Sequence, residues 1–280
     1  MNPSANAGAL RREFASLSSS YDDKRAIIWF DIDNTLYSET TKVAEAMCER
    51  VDAYFSTLGI QKEEAGKIRR QYRSQYGLVL RGLVRHYRID TLEYDSRCDG
   101  SLPLQTLLKP DAYVRKLLQA IDRSKFRVWA LTNAYKTHAT RVLEVLDLHD
   151  QFEGIVYCDY AEPNFACKPE PAYYASALRR AGIKDTSKCY FIDDSSEYHI
   201  LYSGSLVAKR PRRGTENNVV AAKQLGWGKC VHFSESKSAN VDSETSSSGY
   251  HTISSLDQLK DIWPEIFVPS PDGKLGSSLL

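Results

Sequence analysis

Five short apolar segments are the feature of this 280-residue chain that most restricts its fold. They span residues 26–30, 126–131, 155–157, 189–192 and 230–233. Each is rich in β-branched or aromatic residues and is bounded by polar or turn residues. Near-continuous hydrophobicity is typical of parallel strands covered on both faces, although so short a segment is also compatible with a buried helix. We predict that the five segments are central strands of a parallel sheet.

Amphipathic helical patterns separate these segments. Pro110 and Pro171 each suit the first turn of a helix, and apolar residues recur at helical spacing after both. Residues 141–148 and 219–225 carry the same spacing. Strands that alternate with helices predict a doubly wound α/β core with a parallel sheet.

The long interval between the first strand and Pro110 shows no strand pattern and predicts helices instead. One helix runs over residues 43–58 and ends at Gly59, and further amphipathic stretches cover residues 62–86. We therefore predict a helical cap inserted after the first strand. The expected boundaries are 39–107 for the cap, 25–38 and 108–268 for the core, and 1–24 and 269–280 for disordered tails, with a Ser-rich loop at 234–248 and a docking segment at 255–267.

The charge balance argues against two broad classes of partner. With 37 basic and 36 acidic side chains, the net charge is +1, which gives no general reason to expect nucleic acid or an anionic membrane. No apolar run approaches the roughly 18 residues that span a bilayer, and no signal-peptide pattern opens the chain. The six cysteines lack metal or disulfide spacing, as expected for free thiols in a reducing cytosol. A cytoplasmic protein is expected, with an additional nuclear location also compatible with the sequence.

Two carboxylates follow the first predicted strand directly, at Asp31 and Asp33. In an open α/β sheet the carboxyl ends of the strands form the ligand crevice, and both side chains reach it if the backbone turns at Ile32. One carboxylate can attack phosphorus and form an aspartyl phosphate. The other can protonate the leaving oxygen and later deprotonate the attacking water.

A second acidic pair, Asp193 and Asp194, follows a later predicted strand. Carboxylates brought together repel one another unless a cation neutralises them. Mg²⁺ suits this role because it takes oxygen ligands from one or two carboxylates together with phosphate and water. It would also shield a phosphate dianion from Asp31. The sequence thus predicts a magnesium site.

Three further residues suit phosphate binding. Thr132 and Asn133 end the second strand and offer a hydroxyl and backbone N–H groups at a helix entry. Lys168 lies in a proline-stiffened loop, where its ammonium would screen Asp31 and the transferring phosphoryl group. Each residue has an ordinary alternative as a helix cap or a solvated charge. The series of carboxylate pair, hydroxyl, lysine and carboxylate pair, each near a strand end, favours phosphoryl transfer.

These motifs resemble those of the haloacid dehalogenase superfamily. The first motif matches Asp31, Asp33 and Thr35, the second Thr132, the third Lys168, and the fourth Asp193 and Asp194. The resemblance implies that Asp31 is the nucleophile and Asp33 the general acid and base. It implies that Thr132 and Lys168 hold phosphate. It also implies that Mg²⁺ binds Asp31, the backbone carbonyl of Asp33 and Asp194, with Asp193 assisting, and that a helical cap closes over the substrate.

Four further stretches are similar to the fungal pyrimidine 5′-nucleotidases. They are residues 31–37 (DIDNTLY), 76–86 (YGLVLRGLVRH), 102–105 (LPLQ) and 225–227 (LGW) after 219–223 (VVAAK). The likeness extends over most of residues 25–235 and implies a substrate such as UMP or CMP, although related proteins act on other small phosphomonoesters, including lysophosphatidic acid. Candidates for specificity are Tyr37, Tyr76, Arg81, Arg85 and His86, with core packing or solvation as the ordinary alternative.

The chain departs from this pattern at residues 196–216, where a short loop is expected. This stretch includes the basic run KRPRR at 209–213, which resembles a nuclear-localisation patch. The leading interpretation is an insertion without catalytic purpose, such as a retained intron. A basic loop that captures anionic substrate and a targeting signal are the alternatives.

Three other functions compete with a phosphatase. Dehalogenation is disfavoured because it leaves Asp33 and the Asp193–Asp194 pair without a role. A phosphomutase uses the same four motifs and is not separated from a phosphatase by them. A non-catalytic protein that binds a nucleotide or a partner is expected if the insertion disrupts the metal site.

Overall fold

The computed structural model of the protein describes residues 23–194, 217–235 and 249–269. The expected tails over residues 1–22 and 270–280 lie outside the described residues. The insertion at 196–216 and positions 236–248 of the Ser-rich stretch also lie outside them.

A sheet of six parallel strands forms the centre of the fold, and the doubly wound α/β prediction is confirmed. The strands are β1 (Ala26–Phe30), β2 (Phe126–Leu131), β3 (Gly154–Val156), β4 (Cys189–Asp193), β5 (Lys229–Phe233) and β6 (His251–Ile253). Their order across the sheet is β3-β2-β1-β4-β5-β6. The chain therefore builds one half of the sheet outward from β1 and then returns to build the other half from β4. The boundary between β1 and β4 is the switch point at which such sheets place their ligands.

The sixth strand was not predicted from the sequence. β6 has three residues and pairs with β5 in the register Val231↔His251 to Phe233↔Ile253. It lies at the edge of the sheet, and two of its three residues are only half-buried. An edge strand of this length lacks the continuous apolar pattern that identified the central strands.

Six α-helices lie between β1 and β2, and the first five of them form the cap. These five are α1 (Val43–Thr57), α2 (Lys62–Tyr76), α3 (Val79–His86), α4 (Thr91–Arg97) and α5 (Leu104–Leu107). As expected, the chain leaves the first of them at Gly59, which has a φ of 78°. The core adds α6 (Ala112–Gln119), α7 (Lys136–Val145), α8 (Pro171–Ala181), α9 (Asn217–Gln224) and α10 (Leu259–Ile262).

Two helix starts differ from the predictions. The helix expected at Pro110 begins at Ala112, because the Asp111 carboxylate accepts a hydrogen bond from the Tyr113 N–H over 2.7 Å and caps the helix. Tyr113, one of the residues at helical spacing after Pro110, is 45% exposed. The helix expected over residues 141–148 starts earlier, at Lys136, and ends at Val145.

Alternate side chains of each central strand pack into two different cores. Trp29 of β1 lies on one face and stacks on Trp227, with ring centroids 5.8 Å apart. Ile28 and Phe30 of the same strand lie on the other face, where helices α6 and α7 contribute Leu117 and Leu143. Burial on both faces explains why these strands are apolar throughout. In the described ranges, no helix combines the length and the apolar character needed to cross a membrane.

Candidate active site

Three carboxylates converge where β1 and β4 end. The backbone N–H of Asp31 donates to Ile192 O over 2.9 Å, which continues the pairing of β1 with β4 to the point where the acidic residues begin. One carboxylate oxygen each from Asp31, Asp193 and Asp194 lies within 4.8 Å of the others, and all three residues are buried. The structure therefore brings Asp31, from the first acidic pair, together with both members of the second pair, which the sequence placed after a separate strand.

The Lys168 ammonium is the cation within this cluster. It lies 2.8 Å from Asp31 Oδ1 and 2.6 Å from Asp193 Oδ2, and it also donates to Leu131 O over 2.8 Å. Three acceptors use the full donor capacity of an ammonium group. Lys168 is 1% exposed, and burial disfavours its charge. The Asp193 and Asp31 carboxylates more than reverse this effect and raise the pKa of Lys168 above its ordinary value.

The balance of charge in the cluster remains negative. Burial raises the pKa of Asp31 well above its ordinary value, Lys168 opposes this, and the Asp193 and Asp194 carboxylates reinforce it. When all four groups are ionised, three carboxylates face one ammonium, which leaves two negative charges in a buried space. A divalent cation held by oxygen ligands fits this donor set.

Asp194 is held by two residues that the sequence analysis did not single out. Asn34 Nδ2 donates to Asp194 Oδ2 over 3.3 Å, from a left-handed backbone position with a φ of 56°. His232 Nε2 lies 3.0 Å from the backbone oxygen of Asp194. The turn after β1 and the end of β5 thus orient the last carboxylate of the cluster.

A further partner of the cluster is Asn218 at the start of α9. Its Nδ2 donates to Asp193 Oδ1 and Oδ2 over 3.0 and 3.2 Å. Its backbone oxygen accepts a hydrogen bond from the Tyr174 hydroxyl over 2.8 Å. Lys168 on Oδ2 and Asn218 on both oxygens thus restrain the Asp193 carboxylate. The only sequence signal for a role of Asn218 was its position directly before residues 219–223.

Thr132 and Asn133 lie beside the Lys168 loop, as the sequence predicts. The Asn133 side chain accepts from Lys168 N over 2.7 Å and donates to Lys168 O over 3.0 Å. It therefore positions the backbone that carries the lysine. Thr132 Oγ1 accepts from the backbone N–H of Ala134 over 3.1 Å and shapes the turn into α7.

Asp33 points away from the three carboxylates toward α7. Its Oδ1 accepts a hydrogen bond from the Tyr37 hydroxyl over 2.7 Å and lies 2.8 Å from His138 Nε2. Burial acts to raise the pKa of Asp33, but His138 and Tyr37 outweigh it and lower that pKa. Burial likewise disfavours the His138 imidazolium, but Asp33 reverses the effect and raises the pKa of His138 to about 9. His138 was not identified from the sequence, where it is a single histidine within a helical pattern.

The cap contacts the Lys168 loop directly. A β-carbon built on Gly77, which follows α2, would stand 2.3 Å from Lys168 O and 2.8 Å from Pro169 Cδ. On α3, Arg81 Nε and Nη2 donate to the two carboxylate oxygens of Glu170 over 3.0 and 3.1 Å. The cap and the loop of the third motif therefore form one packed unit.

The cap residues proposed for specificity mostly contact one another. The Tyr76 hydroxyl lies 2.9 Å from His86 Nε2, and the Arg85 guanidinium lies 4.6 Å from the centre of the Tyr76 ring. Arg81 is paired with Glu170 and Tyr37 with Asp33. These contacts give each of the five residues a structural role beside the proposed one.

Comparisons with known proteins agree with this geometry. The family model of haloacid dehalogenase-like hydrolases matches residues 26–200. The chain is 35% identical over 223 residues to Phosphate metabolism protein 8 of Saccharomyces cerevisiae, an alignment that covers 76% of this chain and 63% of the yeast protein. The chain therefore spans less than two thirds of the length of that relative.

Two solved structures show the same fold at low sequence identity. A HAD phosphatase from Thermococcus onnurineus has a TM-score of 0.52 and 20% identity, and the match covers 87% of this chain and 100% of the other. A hydrolase from Pseudomonas syringae has a TM-score of 0.54 and 19% identity, with 88% and 100% covered. The chain belongs to the haloacid dehalogenase-like hydrolase family.

Proposed function

We propose that this protein is a Mg²⁺-dependent phosphomonoesterase that works through an aspartyl phosphate on Asp31, with a pyrimidine nucleoside 5′-monophosphate as substrate. The observation that carries the mechanism is the buried cluster in which Lys168 bridges Asp31 and Asp193 beside Asp194. Its two excess negative charges suit a divalent cation, and its position at the β1–β4 switch point suits a small ligand.

In the first step, an Asp31 carboxylate oxygen forms a bond to phosphorus while the bond from phosphorus to the ester oxygen breaks. Asp33 gives its proton to that ester oxygen. The partners of Asp33 lower its pKa in the free protein, but a bound phosphate dianion opposes them, because a nearby negative charge raises a carboxyl pKa. In the second step, water forms the new bond to phosphorus, the bond to Asp31 breaks, and Asp33 takes the proton from the water.

Mg²⁺ would be held by Asp31, the backbone carbonyl of Asp33 and Asp194, with Asp193 assisting, and it would reduce the repulsion between nucleophile and phosphate. Lys168, which contacts the Asp31 carboxylate over 2.8 Å, reduces the same repulsion. Thr132 and the backbone after it, including Asn133, would hold phosphate oxygens. Asn133 also keeps Lys168 in place through the two hydrogen bonds to its backbone.

The substrate class rests on sequence resemblance to the fungal pyrimidine 5′-nucleotidases. The 35% identity to Phosphate metabolism protein 8 of Saccharomyces cerevisiae supports phosphate chemistry without naming a substrate. UMP and CMP are the expected substrates. Lysophosphatidic acid and sugar phosphates are the alternatives within the same mechanism, and a phosphomutase would return the phosphoryl group to a sugar instead of water.

The test is phosphate release by the full chain from UMP, CMP, AMP, GMP, deoxynucleotides, sugar phosphates and lysophosphatidic acid, with Mg²⁺ or with EDTA. Asp31→Asn is the catalytic variant, and Asp261→Asn, on the exposed side of α10, is the matched control. Turnover of UMP and CMP that needs Mg²⁺ and Asp31 supports the whole proposal. Asp31-dependent turnover of other esters alone contradicts the substrate but not the mechanism.

Absence of turnover in folded protein would favour the non-catalytic alternative. Deleting residues 197–215 then separates two causes. Activity that appears on deletion shows that the insertion blocks a competent site. A deletion variant that folds and stays inactive contradicts the proposed chemistry.

A further inference from the structure

Two hydrogen bonds reach the same oxygen of Asp33 from different parts of the chain. The Tyr37 hydroxyl donates to Oδ1 over 2.7 Å, and His138 Nε2 lies 2.8 Å from the same atom. Tyr37 follows Asp33 by four residues, whereas His138 belongs to α7. Within residues 23–194, 217–235 and 249–269, no donor lies within hydrogen-bonding distance of Oδ2.

We propose that His138 is a positioning residue that, together with Tyr37, fixes the Asp33 carboxyl so that Oδ2 exchanges the proton with the substrate. This inference rests on the proposed function, in which Asp33 is the general acid and base. The torsion about the Cβ–Cγ bond of an aspartate is broad, and a single hydrogen bond restricts it weakly. Two donors on separate elements hold one oxygen and thereby direct the other.

The burial of the two partners agrees with this division of roles. The His138 side chain is 2% exposed, whereas the Asp33 side chain is 26% exposed. A buried, closely packed imidazole ring moves little. Its Nε2–H therefore holds the Asp33 oxygen that it contacts in a fixed position. Asp33 therefore keeps accessible surface at which a leaving group can be protonated.

The other ring nitrogen of His138 supports a role through Nε2. Nδ1 is buried and has no hydrogen-bond partner in the described part of the chain. A buried polar atom without a partner costs stability. Packing alone would favour an apolar side chain at this helix position, whereas a donor to Asp33 requires the imidazole.

Leaving groups of different basicity separate positioning from simple packing. An alkoxide leaving group needs the Asp33 proton when its bond to phosphorus breaks. A p-nitrophenolate group does not need that proton, because it is a weak base. A misplaced Asp33 should therefore leave the rate of the first step with p-nitrophenyl phosphate nearly unchanged. The second step uses Asp33 as the base with either ester.

The experiment compares His138→Leu, which removes the donor, with His138→Gln, which keeps a side-chain N–H, in the Mg²⁺-loaded full chain. His149→Leu changes an exposed histidine and is the control. For His138→Leu we expect kcat on UMP to fall about 100-fold, the scale of general acid–base catalysis. The burst of p-nitrophenolate in the first turnover should slow less than about threefold, and His138→Gln should recover about tenfold in kcat on UMP.

A double-mutant cycle supplies the second readout. If His138 acts through Asp33, then His138→Leu should change kcat less than about twofold in an Asp33→Asn background. An equal slowing of the first step, leaving-group release, on both esters, or losses of kcat that multiply in the double variant, would overturn the role of His138 and leave the proposed function intact. A wild-type protein without Asp31-dependent turnover contradicts both. Should His138→Leu fail to fold, Tyr37→Phe, which removes the other donor to Asp33 Oδ1, carries the same comparisons.

Discussion

Gly77 of the cap lies against the carbonyl oxygen of Lys168, so closely that a β-carbon at Gly77 would stand 2.3 Å from that oxygen. Gly77 also has a φ of 76°, a left-handed conformation that L side chains rarely adopt. The contact joins the C-terminal end of α2 to the loop that carries the buried lysine. Any displacement of this loop moves the ammonium that bridges Asp31 and Asp193.

Gly77→Ala should therefore lower both stability and turnover. The left-handed backbone alone costs about 1–2 kcal/mol with a side chain, and the overlap with Lys168 adds to it. Gly59→Ala is the matched control, because Gly59 has a φ of 78° and nothing within 4 Å of an added β-carbon. Both variants should lose stability in denaturant titrations, but Gly77→Ala should lose more and should also lose kcat. Equal effects in the two variants would show that the contact is unimportant.

Replacing Lys168 by methionine should destabilise the protein strongly. The change leaves two buried carboxylates without their cation, and breaking a buried pair from one side costs about 3–5 kcal/mol. Lys184→Met, at an exposed lysine, is the control and should be nearly neutral. The loss should shrink toward pH 5, because protonated carboxyl groups no longer need a positive partner. A loss that is equal at pH 5 and pH 8 would contradict this account.

Mg²⁺ should raise the melting temperature of the wild-type protein without any substrate. A ligand at 100 times its dissociation constant stabilises a folded protein by about 2.7 kcal/mol. Asp194→Asn should lose most of this increase, whereas Asp261→Asn should retain it. Calorimetry or a dye-based melting curve with and without Mg²⁺ measures both. An Mg²⁺ response that persists in Asp194→Asn would place the metal elsewhere.

Asp99 should make stability depend on pH. Burial raises its pKa to about 7, His138 opposes this, and Asp95 and Asp33 reinforce it. Because the folded-state pKa lies above the ordinary value of 3.8, the folded state binds more protons, and stability falls as pH rises from about 4 through 7. Asp99→Asn should remove this fall, with a gain of at most about 4 kcal/mol at pH 8 and little change at pH 4. Parallel pH curves for the two proteins would contradict the assignment.

The sequence predicted the central strands and the positions of Asp31, Thr132, Lys168 and the Asp193–Asp194 pair. The strands were visible because burial on both faces makes them apolar throughout. The polar residues were visible because they interrupt that pattern where each strand ends. β6 was missed since an edge strand of three residues has no such pattern.

The hydrogen-bond partners of the site were also missed, for a different physical reason. His138 and Asn218 reach Asp33 and Asp193 from helices distant in sequence. Nothing in the local spacing of either residue distinguishes it from a solvated side chain. Only the packing of α7 and α9 against the sheet determines which carboxylate each one meets.

The strand order has a consequence for the nascent chain. Of the six described strands, β1 is synthesised first. One of its two neighbours in the sheet is β4, which is separated from it by more than half the length of the chain. Until that strand leaves the ribosome, Asp31 lacks the Asp193–Asp194 pair, so the cation site is incomplete. The cap helices and β2 can form earlier, because their contacts are closer in sequence. The metal-binding end of the sheet is therefore completed late in folding, and truncated chains that end before residue 189 carry a cap without a competent centre.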